Sequence, residues 1–184
     1  MMKNLRYICL FFFFGVKCFF AQDPQFAQYY ANPIFLNPAY TGVTYEHRFI
    51  ANYRNQWLGL SKAYATYAAS YDYNATEIRS GLGLQVVHDV AGTSAFTTTS
   101  IAGSYAYHAN LSKFTELRGG IALSLNMKRF NTDNLVFNDQ LRNGTPVSIE
   151  AGNYFPKNYF DVNAGVLLNS VEYWVGLAAK HLPQ

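Results

Sequence analysis

The sequence predicts an all-β fold: an antiparallel transmembrane β-barrel of the outer-membrane type, with about seven strands present. Three observations predict it. The chain opens on a short apolar leader, its remainder is poor in charge and rich in aromatic residues, and its apolar residues recur with a period of two. Charged residues make up 14% of the chain, against roughly 25% in soluble domains, and aromatics 17%. After the leader no apolar run approaches the about 20 residues that a membrane helix needs. An exported chain of this kind crosses a membrane with strands, whose marks are weak alternation and aromatic girdles.

Residues 1–21 form the first element. Lys3 and Arg6 precede the apolar run Tyr7–Val16, and Ala21 is a small residue at a plausible cleavage point. This is the pattern of a secretory signal peptide removed from the mature protein. Its loss takes Lys3, Arg6 and Lys17 from a total of 14 basic residues and leaves the 11 acidic ones in balance. A neutral chain lacks the basic face that nucleic-acid binding requires. Cys9 and Cys18 also leave with the leader. The exported part therefore has no disulfide, no thiolate metal site and no cysteine nucleophile.

Residues 22–45 form the second element. "QDPQFAQYYANPIFLNPAYTG" has one charge, Asp23, and three prolines, Pro24, Pro33 and Pro38. The prolines exclude a long helix or a central strand. The segment is either a plug folded into the barrel lumen or a periplasmic segment ordered by a partner. Its density of Phe26, Tyr29, Tyr30, Phe35 and Leu36 favours the plug over a solvated tail.

Strands fill residues 46–184. Alternation is clearest in Leu117–Lys128, where Leu117, Gly119, Ile121, Leu123, Leu125 and Met127 oppose Arg118, Gly120, Ala122, Ser124, Asn126 and Lys128. Tyr159–Asn169, Ser80–Asp89 and Tyr64–Tyr73 repeat it. His47–Asn55, Phe96–Asn110 and Tyr173–Leu182 complete the set. Glycine recurs on the less apolar face, where a crowded lumen needs small side chains. Tyr53, Trp57, Tyr105, Tyr107, Tyr173 and Trp174 lie near strand ends, where interfacial girdles belong.

With a periplasmic amino terminus, the long fifth connection, Phe130–Asn158, faces outward, and the short sixth faces the periplasm. Seven is odd, whereas bacterial barrels close with an even number of strands, so these strands read as the amino-terminal half of a larger barrel. A soluble β-sandwich is the alternative. It needs more charge on its solvent face than these strands carry.

No GxSxG, P-loop, HExxH or CxxC motif occurs, and neither metal nor cofactor ligands are spaced for binding. His88–Asp89 is the one adjacent acid–base pair, and neighbours on a strand point to opposite faces. A non-enzymatic protein is expected.

The segments Gln22, Asp23, Pro24, Gln25, Phe26, then Asn37, Pro38, Ala39, Tyr40, Thr41, Gly42, then Arg54, Asn55, Gln56, Trp57 resemble the PorP/SprF family of type IX secretion system membrane proteins from Bacteroidota. Phe137–Gln140, Tyr159–Leu167 and Lys180–Leu182 follow in the family's order. The resemblance implies an outer-membrane barrel about twice this length. Such a barrel associates with the secretion and gliding machinery, and binds, anchors or delivers secreted or surface-anchored proteins. Its motif residues are then the candidates for plug or partner contact, with Trp57 either an interface anchor or part of a binding rim. The alternative function is a porin-like or hydrophobic-solute channel.

Overall fold

The computed structural model describes residues 29–44, 46–57, 59, 64–92, 96–131, 135–144 and 156–183. The expected signal peptide and Gln22, Asp23, Pro24, Gln25 and Phe26 lie outside the described residues. Seven strands follow: β1 His47–Gln56, β2 Tyr64–Ala75, β3 Ser80–Ala91, β4 Phe96–Asn110, β5 Thr115–Phe130, β6 Lys157–Ser170 and β7 Trp174–Ala179. They pair in sequence order, every pair antiparallel, and curl into a half-barrel. No helix among the described residues is long and apolar enough to cross a membrane.

The period of two sorts side chains onto two unlike faces. The convex face carries Phe49, Leu84, Ile101, Leu123, Phe160 and Leu177, all exposed, with Leu123 at 59% and Phe160 at 79%. The concave face buries Thr66, Ser70, Asp72, Gln85, Ser104, Arg118, Ser124, Asn126 and Asp161. Polar inside and apolar outside inverts a water-soluble sandwich and fits a wall whose solvent is lipid. The convex aromatics cluster towards two levels. Tyr53 and Tyr67 pair toward one end of β1 and β2, and Tyr73, Tyr105 and Tyr107 lie toward the opposite end, whereas Tyr64 and Trp174 take the concave side.

The strand ends also differ. Residues 76–79, 111–114 and 171–173 make tight turns at one end. Arg79 supplies a left-handed residue (φ 51°), and the Ser170 N–H closes on Tyr173 O at 2.8 Å. The strand ends Gln56 and Tyr64, Ala91 and Phe96, and Phe130 and Lys157 lie at the other end, and the helix Asn138–Asn143 falls between β5 and β6. β7 is shorter than its sequence suggests. Beyond Ala179 the chain bends at His181 (φ 57°), whose N–H turns to Asn163 Oδ1 at 3.0 Å while the Leu182 N–H reaches Val162 O.

Candidate functional site

The segment Asn32–Gly42 lies on the concave face, built from the short helix Pro33–Leu36 and a 3₁₀ turn Pro38–Tyr40. Proline suits the first position of each because no backbone donor is needed there. Asn37 holds the junction. Its Oδ1 accepts the Ala39 N–H at 2.9 Å, and its Nδ2 donates to Val166 O at 3.2 Å and Leu177 O at 3.1 Å. One side chain thus caps a turn and ties it to β6 and β7. Thr41 Oγ1 donates to Pro38 O at 2.8 Å and lies 3.0 Å from Ser104 Oγ on β4. Gly42 takes a positive φ of 67°, which glycine adopts without strain, and its N–H donates to Asp72 Oδ2 at 2.7 Å.

Two arginines clamp the same turn. Arg118, only 2% exposed, donates through Nε to Ala39 O at 3.3 Å, through Nη2 to Thr41 O at 2.9 Å, and through Nη1 to Glu116 Oε1 at 3.1 Å. Arg48 grips both oxygens of Asp72, at 2.8 and 2.9 Å, and donates to Tyr40 O at 3.1 Å. A two-pronged guanidinium–carboxylate pair is among the stronger polar contacts, and the remaining donors and acceptors here are used on backbone groups. Nearer β1 and β3, Gln85 Nε2 donates to Asn32 Oδ1 at 2.9 Å.

The wall is shaped to receive this chain. Register sets Asn74, Gly81, Ala106, Gly120, Gly165 and Ala178 side by side across six strands. A Cβ at Gly81 would meet the Thr41 carbonyl, at Gly120 the Pro38–Ala39 peptide, and at Gly165 the Asn37 amide. Ala39 itself is fully buried against this row. Tyr40 meets Trp174 edge to face at 6.2 Å, and Lys180 Nζ sits 4.1 Å above the Phe35 ring.

Beyond the segment, toward the end bearing the longer connections, lies a cavity of about 430 Å³. Ile34, Phe35 and Pro38 line it from the segment, and Arg54, Gln56, Asp89, Asn126, Lys128 and Asp161 from the strands. The motif Arg54–Trp57 is therefore divided. Arg54 and Gln56 face the cavity and Asn55 takes the opposite side of β1, whereas Trp57, just past the strand with φ 58°, is exposed and meets Tyr64 edge-on at 5.1 Å. Of the motif residues, Asn37, Pro38, Tyr40 and Gly42 come together at the clamp, and Arg54 and Gln56 stand apart from it across the cavity. His88 and Asp89 also separate: His88 Nδ1 lies 2.8 Å from Thr99 Oγ1, while Asp89 accepts from Thr66 on the concave side. Among the described residues no cluster of three or more His, Cys, Asp or Glu is arranged to hold a metal ion.

Sequence reasoning did not single out Arg48, Asp72, Gln85, Ser104 and Arg118 as the segment's partners. Their signal was present all the same: Asp72 is the one charge on β2, and it and Arg118 lie on the polar side of their strands. The match that identifies the family spans the whole described region. A family model described as "Type IX secretion system membrane protein PorP/SprF" matches residues 18–184. No curated protein and no solved structure matches significantly. With its motif turn anchored inside a wall whose outer face is apolar, and nearly its whole length covered by that model, the chain belongs to the PorP/SprF family of type IX secretion system membrane proteins.

Proposed function

We propose that this protein is a non-enzymatic outer-membrane barrel of the type IX machinery that binds secreted or surface-anchored proteins and anchors or delivers them. In this reading residues 22–42 are a plug that blocks the lumen at its periplasmic end. The observation that carries the reading is the clamp: Asn37, Thr41, Gly42 and the Ala39 and Thr41 carbonyls are bound to side chains or backbone of β2, β4, β5, β6 and β7. A lumen filled by a segment so tied favours holding a polypeptide over passing solutes, which weighs against the channel alternative. The exposed apolar wall gives the protein its lipid contact, and secretion components are its expected neighbours.

The test is affinity purification of the tagged full-length protein from gently solubilised outer membrane, with partners identified by mass spectrometry. A second preparation lacks residues 22–42. Recovery of secreted proteins or secretion components with the intact protein, lost on excision, is the expected outcome. Retained partners together with raised single-channel conductance in planar bilayers would identify a channel and overturn the reading.

A further inference from the structure

The concave wall has a second register row above the clamp: Arg54, Thr66, Asp89, Thr98, Lys128 and Lys157 stand side by side across β1 to β6. It holds three cations and one carboxylate. Asp89 is already engaged by the Thr66 hydroxyl, and the cavity's other carboxylate, Asp161, lies 2.6 Å from His181 Nδ1. Among the described residues neither the Arg54 nor the Lys157 side chain makes a hydrogen bond or ion pair. Lys128 has only the Tyr159 ring, 5.2 Å away. Lys128 and Lys157 are direct cross-strand partners, an arrangement that like charges disfavour. Among the described residues neither lysine has a carboxylate partner. An anion bound between them would offset the repulsion.

We propose that this chamber binds an acidic stretch of extended polypeptide, its carboxylates held by Arg54 on one wall and Lys128 on the other, with the exposed Lys157 beside Lys128 at the same level, outside the cavity lining. The spacing selects that ligand over a compact anion. Arg54 and Lys128 are separated by four strand intervals of about 4.8 Å along a curved wall. Singly charged groups set along a chain match that spread, whereas one phosphate reaches a single cation cluster. The cavity of about 430 Å³ is floored by the apolar Ile34 and Phe35 and flanked by Gln56, Thr98, Ser100 and Asn126, which suit the ligand's backbone. The inference rests on the adaptor reading and names the partner's chemistry.

The experiment uses the full-length protein in detergent at low ionic strength, with rhodamine-labelled hexaglutamate and hexalysine read by fluorescence anisotropy. Hexaglutamate binds and hexalysine does not. Affinity for hexaglutamate falls about tenfold in Arg54→Gln and again in Lys128→Gln, since each charge-assisted contact is worth about a decade. Arg129→Gln, one residue along β5 on the convex side, changes it little. The double reversal Arg54→Glu with Lys128→Glu transfers preference to hexalysine, a response that a merely structural role would not give. Undiminished hexaglutamate binding in both single variants overturns the proposal, as does free glutarate binding as tightly as the peptide. If the reversal variant co-purifies the same secreted proteins as wild type, the acidic-ligand assignment fails and the adaptor reading stands. If the peptides behave as expected but wild type recovers no secreted protein, the adaptor reading fails and the chamber's chemistry stands.

Discussion

Gly119 and Gly120 are neighbours in sequence with opposite surroundings. A Cβ at Gly119 meets nothing within 4 Å, whereas one at Gly120 would occupy the Pro38–Ala39 peptide. Gly120→Val is therefore expected to force the segment off the wall. Overpacking of this kind costs about 1–3 kcal/mol. Limited proteolysis should show new cleavage within residues 29–42 for Gly120→Val and none for Gly119→Val; equal protection in both would contradict the seating described. Arg118 makes the complementary case. Arg118→Met keeps the bulk and leaves the Ala39 and Thr41 carbonyls without their donors, at about 2–4 kcal/mol for two buried acceptors. Urea unfolding in phospholipid vesicles reads that loss directly. Arg118→Lys should restore only part of it, because an ammonium cannot present the same fork to two carbonyls and Glu116. Full restoration by lysine would reduce Arg118 to a point charge.

At the scale of one strand, β5 states the logic of the wall in consecutive residues. Leu123 is exposed on the convex side, while Ser124 is buried on the concave side and lines the cavity. Leu123→Arg places a cation in hydrocarbon and is expected to destabilise by about 2–4 kcal/mol if the position is near the midplane. Ser124→Asn, one step along, exchanges one polar lumen group for another and should cost well under 1 kcal/mol by roughly the same scale. Similar costs at the two positions would mean that the convex face does not meet lipid. The segment Asn32–Gly42 follows different rules from the strands. It has almost no backbone ladder of its own, so side chains on five strands supply its partners, as buried peptide groups require.

For the molecule as a whole, the unequal connections define a direction across the membrane. Tight turns at 76–79, 111–114 and 171–173 lie at one end; at the other end seven residues separate β1 from β2, four separate β3 from β4 and 26 separate β5 from β6, so the contrast rests on the first and the last. Barrels of this type keep short turns periplasmic and longer loops outside. A single cysteine at Leu141 should then label with a membrane-impermeant maleimide on intact cells, and one at Lys113 only after the outer membrane is opened. The reverse pattern would invert the orientation and put the cationic row at the periplasmic mouth. β1 and β7 run in the same direction, and each has one edge unpaired among the described residues. Joining them directly would make a parallel pair. A closed antiparallel wall therefore needs an odd number of further strands between them.

All seven strands were legible in the sequence within a few residues, because a period of two depends only on the alternating geometry of an extended chain. The family, too, could be read from the motifs at 22–26, 37–42 and 54–57, and the match over residues 18–184 bears it out. What the sequence left open was which strands the Asn-Pro-Ala-Tyr-Thr-Gly turn would meet. Asn37 and Leu177 are 140 residues apart, and Thr41 and Arg118 are 77 apart. No local pattern encodes such pairs; they exist only once register has been propagated through every intervening strand. The same propagation separates Arg54 from Trp57 and brings Arg54, Lys128 and Lys157 to one level of the wall. Alternation determined which face each side chain would take, and only the curled, registered sheet decided its neighbours.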